Sequence, residues 1–177
     1  MVGTMNAKHS SRRMVLAAIA MGASSGLARA DDPTSMGSFD DWESFTYQDQ
    51  GKPVCYVYST PKKTEAAKKV KRDPVYFLIT NYPGRKLKGQ VSTIIGYPFK
   101  ESSTVTVKVN DASFELYTNG DAAWAAAPET EVAIVKAMKT AKALTVTGTS
   151  WKGTETTDTY SLAGIGKALD KIDSSCK

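Results

Sequence analysis

One pattern restricts the fold of this chain more than any other. Short runs of β-branched and aromatic residues recur, each closed by a turn signal. Thr104 to Val109 alternates apolar and polar at every step. Asn110-Asp111 suits a tight turn and Ser113 to Tyr117 runs back, which predicts a hairpin. Trp42 to Tyr47, Pro53 to Ser59, Val75 to Thr80, Gln90 to Ile95, Leu144 to Thr149 and Thr154 to Tyr160 read as further strands. Gln48 to Gly51, Asn81-Tyr82-Pro83-Gly84, Asn119-Gly120-Asp121 and Lys152-Gly153 separate them. In the Pro53–Ser59 strand, Val54, Tyr56 and Tyr58 fall on one face and Cys55 and Val57 on the other. Two segments change period. Glu129 to Thr140 places Val132, Val135 and Met138 three apart beside Ile134, after Pro128. Near the C-terminus Leu162, Ile165, Leu169 and Ile172 form one helical face, with Ser161 as the expected N-cap and Gly164 and Gly166 weakening the helix. The prediction is a mainly β domain with one short internal helix and a C-terminal helix.

The N-terminal residues follow a different logic. Arg12-Arg13 is a positive start, Met14 to Leu27 is apolar and small-residue-rich, and Ala28-Arg29-Ala30 fits a cleavage site. Residues 1–30 therefore read as a secretory signal peptide, too short and too rich in Gly and Ser to be a stable bilayer span. Residues 31–38 read as a disordered lead-in of Asp, Pro, Ser and Gly, and 39–177 as the folded domain, a length suited to one core. No later apolar stretch is long enough for a transmembrane helix. The expected location is the periplasm, the outer membrane or outside the cell, after leader removal.

Cleavage changes the charge argument. The chain carries 23 Lys+Arg against 18 Asp+Glu, a net charge of +5. Lys8, Arg12, Arg13 and Arg29 lie in the leader, which has no acid; the 23 cations less these four leave 19 against 18. The basic excess is not a nucleic-acid signal. What remains is local: Lys62, Lys63, Lys68, Lys69, Lys71 and Arg72 cluster around the single acid Glu65. This segment is either a solvated loop or a docking site for an anionic partner such as a lipid head group or glycan phosphate. It has no interleaved aromatics of the kind that grip single-stranded nucleic acid.

Reactive groups are scarce. The one histidine, His9, lies in the leader, so His-based triads and His-metal sites are excluded from the domain. Cys55 and Cys176 are expected to form a disulfide in an oxidising compartment, though the same residues also fit two buried free thiols; their spacing excludes a CxxC redox or zinc motif. A bridge closing so long a loop stabilises the fold by roughly 4–5 kcal/mol in the chain-entropy account. No phosphate-binding loop, dinucleotide fingerprint, EF-hand, metal site or cofactor motif is present. Carboxylate-based hydrolysis stays open in principle, but no spacing singles out a pair. Among the aromatics, Trp124 beside a turn, and Tyr82 and Tyr97 beside prolines, are candidate contact residues; core or turn packing explains them equally well.

An ordered string of motifs remains. Phe39-Asp40-Asp41-Trp42, Lys52-Pro53-Val54-Cys55-Tyr56 and Ser59-Thr60-Pro61-Lys62-Lys63 come early. Gly96-Tyr97-Pro98, Asp121-Ala122-Ala123-Trp124, Ala137-Met138-Lys139 and Gly148-Thr149-Ser150 follow. Gly153-Thr154, Thr157-Asp158-Thr159-Tyr160-Ser161-Leu162-Ala163-Gly164 and a closing Ile172-Asp173 to Cys176 complete it. This resembles the invasion associated locus B family of Gram-negative, mainly alphaproteobacterial, bacteria over nearly all of 39–177. The resemblance implies an immunoglobulin-like β-sandwich in the periplasm or at the outer membrane, associated in pathogens with entry into host cells. It carries over no catalytic residue. Some relatives have an extra cysteine just after the Trp; here that position has none, which leaves Cys176 as the one intramolecular partner of Cys55. The functional expectation is an exported, non-catalytic envelope or secreted protein, without cofactor, contacting envelope components or host surface molecules. The alternative is a periplasmic module for an anionic glycan or lipid.

Overall fold

The computed structural model describes residues 32–177, so the expected leader lies outside the described residues. The described residues form eleven strands and two α-helices, with a 3-10 turn at Pro83–Arg85: β1 Thr34–Phe39, β2 Trp42–Asp49, β3 Lys52–Ser59, β4 Lys63–Ala66, β5 Tyr76–Tyr82, β6 Leu87–Ile94, β7 Thr104–Val109, β8 Ala112–Asn119, β9 Ala122–Ala125, α1 Pro128–Met138, β10 Ala143–Thr149, β11 Glu155–Ser161 and α2 Ile165–Ser175. The fold is mainly β, with one internal and one C-terminal helix, as the periodicity predicts.

All eleven strands join one antiparallel sheet in the order β1-β2-β3-β5-β6-β9-β8-β7-β10-β11-β4. The hydrogen-bonding runs through without a break, so pairing alone does not divide the strands into two layers. The sheet curls until its ends approach. Trp42 Nε1 donates to the Ser161 carbonyl at 3.1 Å, the Asp41 N–H donates to the Ala163 carbonyl, and Lys62 pairs with Asp41. The concave side encloses one core in which Trp42, Val57, Phe77, Ile79, Val91, Val107, Leu116, Val146 and Tyr160 are wholly buried. Burial of this apolar surface is the main driving force of the fold.

Turn chemistry sets the registers. Gln50 and Gly51 both have positive φ, 52° and 73°, and join β2 to β3 in a two-residue turn whose twist matches the strands. Asn110-Asp111 connects β7 to β8 as expected. The Cys55–Cys176 disulfide is present, with Cα atoms 5.9 Å apart, and ties the end of α2 to β3.

Four local expectations are corrected. Residues 34–38 are not a disordered lead-in: Thr34–Phe39 is an edge strand on β2, held by backbone pairing that a Ser/Gly-rich sequence does not advertise. Ala122–Ala125, assigned to no strand above although Trp124 was placed beside a turn, is strand β9, wedged between β6 and β8. On α1, Ile134 and Met138 face the core while Val132 is 65% exposed, so the three-residue spacing marks two different faces. Ser161 ends β11 and does not cap α2; its Oγ accepts from the Ala163 N–H, and Gly164 takes the cap position at φ 87°. A Cβ on Gly164 would lie 2.0 Å from the Phe39 carbonyl oxygen, so this glycine permits a close crossing of two chain segments.

Candidate functional site

Strand alternation builds a surface as well as a core. On β2, Trp42 and Ser44 point inward, and Phe45 and Tyr47 outward. On β3, Cys55, Val57 and Ser59 point inward, and Tyr56 and Tyr58 outward. On β5, Phe77, Ile79 and Asn81 point inward, and Tyr76, Leu78, Thr80 and Tyr82 outward. Register then aligns the outer residues: Phe45 pairs with Tyr56, Tyr56 with Thr80, Tyr58 with Leu78, and Tyr76 with Ile94. Phe45 stacks on Tyr56 and Tyr58 at centroid distances of 5.6 and 5.7 Å, and Tyr58 meets Tyr76 edge-on at 5.2 Å. With Tyr47, Tyr82 and Ile94, and Asp32-Pro33 along one side, these residues line a shallow trough of about 740 Å³.

The rings pack against one another, and each is half-buried. Burial pushes the Tyr47 phenol up to about 12, with Tyr82 and Asp49 adding to the shift, and raises Tyr56 and Tyr58 as well. At neutral pH Tyr47, Tyr56 and Tyr58 thus present uncharged rings carrying hydroxyl groups. Tyr58 donates its hydroxyl to Glu43 at 3.2 Å, and Arg85 lies 5.0 Å over the Tyr82 ring while paired with Asp49.

The three aromatic candidates from sequence divide. Tyr82 belongs to the trough. Trp124 lies on the same outer face, in the lateral row Tyr58, Leu78, Ser92, Trp124, Tyr117, where it packs on the exposed Tyr117 at 5.8 Å. Tyr97 does not join them: it is buried, its hydroxyl shared between the Gly148 carbonyl and Thr156 Oγ1. Sequence reasoning missed Phe45, Tyr47, Tyr56, Tyr58 and Tyr76 as a site. Their signal was aromatics two apart in β2 and in β3, with Tyr76 and Tyr82 at the two ends of β5, which becomes a surface only once the register is known.

The basic candidates also separate. Lys62 pairs with Asp41, and Lys63 with Glu65 at 2.8 Å. Arg72 turns inward to Asp158 and Thr64, and its guanidinium pKa is raised by the Asp158 hydrogen bond. Lys68, Lys69 and Lys71 are exposed, and among the described residues none has an ionic partner.

A second concavity, of about 500 Å³, opens between α1 and α2 and is lined by Asn81, Gly89, Val132, Val135 and Leu169 with charged residues around it. Two carboxylates border it, each already held. Glu131 accepts from the Val91 N–H at 3.3 Å, and Asp173 accepts from Asn81 Nδ2 at 2.8 Å and pairs with Lys88. Among the described residues no group of three or more His, Cys, Asp or Glu is placed to hold a metal ion, and no helix is long and apolar enough to cross a membrane.

The family model described as Invasion associated locus B (IalB) protein matches residues 42–173. The chain belongs to the IalB family. No curated protein and no solved structure matches it. The IalB region begins at the first residue of β2 and includes β2, β3 and β5, which carry the trough's rings, and β6, which supplies Ile94. It stops short of Cys176, so strand β1 and one half of the disulfide lie beyond it.

Proposed function

We propose that this IalB-family protein is exported, non-catalytic and works by contact, docking a protein surface of the envelope or of a host cell onto the aromatic outer face of β2, β3 and β5. The observation that supports this reading is the cluster of Phe45, Tyr47, Tyr56, Tyr58, Tyr76 and Tyr82 on one face of the sheet. Tyrosine gives large apolar contact at low entropic cost and keeps a polar hydroxyl for hydrogen bonding, which is why it concentrates at protein interfaces. Five of the six rings already pack against one another without a partner, which lowers the side-chain ordering that docking costs. The leader and the disulfide are consistent with work in an oxidising compartment.

The test is a deletion strain complemented with wild-type protein or with Tyr56→Ser/Tyr58→Ser. Wild type is expected to restore host-cell adhesion or envelope integrity, and the variant to fail although it is exported with its disulfide formed. Full activity of the variant would remove the aromatic face from the function. Unchanged adhesion and entry on deletion, with altered envelope integrity, would assign the contacts to the bacterium's own envelope.

A second reading rests on Lys68, Lys69 and Lys71, whose exposed charges suit an anionic glycan or lipid. Binding of this kind weakens with salt and with replacement of the three lysines by Gln. Salt-independent binding, or none to envelope lipids and glycans, would exclude it.

A further inference from the structure

We propose that the cleft between α1 and α2 binds a single-chain anionic amphiphile, a medium-chain carboxylate being its simplest form. The size is right: about 500 Å³ falls within the range of small-molecule sites. The walls are apolar. Val132 and Val135 on α1 face the cleft, and Leu169 on α2 stands opposite. Val132 is 65% exposed, an apolar side chain left in water on the helix face that looks into the opening. Burying it against an alkyl chain would recover hydrophobic free energy that the domain itself does not.

The rim selects the sign of the head group. Lys136 and Lys139 stand on the same side of α1 as the two valines, and Lys88 stands on β6. The local acids do not neutralise all three. Asp173 is taken by Lys88 and Asn81, and Glu131 by the Val91 N–H. Among the described residues Lys136 and Lys139 have no acidic partner. The floor is fixed: Asn81, buried, accepts the Gly89 N–H at 2.8 Å while donating to Asp173, so it links the β5–β6 end to α2 beneath the opening. An apolar slot under two uncommitted ammonium groups fits a chain with one negative end.

The experiment uses the purified exported protein with its disulfide intact, titrated with decanoate at low ionic strength in a calorimeter. Decanol serves as the uncharged match. Saturable one-to-one decanoate binding is expected. Lys136→Glu/Lys139→Glu and, separately, Val132→Glu should bind about ten-fold more weakly or worse while melting like wild type without ligand. All three positions are exposed, so the substitutions remove no buried contact and the variants are expected to fold. The proposal is overturned if decanoate does not bind, if decanol binds as tightly, or if the cleft variants bind like wild type. It is also overturned if Tyr56→Ser/Tyr58→Ser abolishes decanoate binding in their place, since that result puts the ligand in the aromatic trough.

Discussion

Arg72 and Asp158, 86 residues apart in sequence, form a two-pronged ion pair at the edge of the core: Arg72 Nη1 donates to Asp158 Oδ2 at 2.7 Å, and Nη2 bonds the other carboxylate oxygen. The Asp158 side chain is fully buried and that of Arg72 nearly so. Thr64 completes the group, accepting from Arg72 and donating to Asp158, both at 2.6 Å. The pair pins the end of the basic segment to β11. Removing one member strands the other's charge in a low-dielectric site. Asp158→Ala should therefore cost about 3–5 kcal/mol in urea denaturation, and Arg72→Met/Asp158→Leu much less than the sum of the single changes. A loss under about 1 kcal/mol for Asp158→Ala would show that the pair is not structural.

The Cys55–Cys176 bridge holds the last turn of α2 against β3. Replacing both cysteines by Ser should lower stability by roughly 4–5 kcal/mol at most, because the open chain regains loop entropy. In hydrogen exchange, α2 should lose protection before the strands do. Uniform loss of protection across the sheet would contradict this order, and two titratable thiols in the native protein would contradict the bridge.

The tyrosines predict an alkaline transition. Tyr47 has its folded-state pKa raised from 10.0 to about 12, chiefly by burial. A raised phenol stabilises the fold fully below pH 10, and that contribution is lost as pH climbs through about 12. Tyr56, Tyr58, Tyr97 and Tyr160 shift in the same direction, burial being the leading cause in each. Phenolate absorbance of the native protein should thus rise later than that of the urea-unfolded chain, and Tyr47→Phe should reduce the stability lost above pH 10. Coincident native and unfolded titration curves would refute this.

Two glycines of the C-terminal region should respond with opposite signs. Gly164→Ala places a Cβ 2.0 Å from the Phe39 carbonyl oxygen at a φ of 87°, and should cost at least about 2 kcal/mol. Gly166 lies inside α2 with nothing within 4 Å of where an added methyl would sit, so Gly166→Ala should stabilise by up to about 1 kcal/mol. Thermal unfolding of both variants checks the pair; equal effects would contradict the crossing of β1 and α2.

The elements most legible in the sequence are those whose side chains alternate against the core. β7, β8, β10 and β11 could be drawn from alternation and turn residues alone, because one buried face forces the period. β1 and β9 could not. Thr34–Phe39 is held at the edge by backbone pairing, and Ala122–Ala125 carries only one large side chain. On α1, Val132 has the spacing of a core residue, but burial depends on how the helix rolls on the sheet, which periodicity does not encode. The site was less legible than the fold. Arg72 looked like one of six free cations, since its partner Asp158 lies on a distant strand. The aromatic trough needs residues from β2, β3 and β5 in one register, and no single segment reveals that.

The claim that the outer face of β2, β3 and β5 is the working surface is tested most directly by placing a photo-crosslinking amino acid at position 56 or 58 and illuminating intact cells. A discrete crosslinked partner is expected from either position, and none from position 115 on β8, an exposed site outside the trough. Crosslinks from position 115 alone, or equal yields from all three positions, would contradict it.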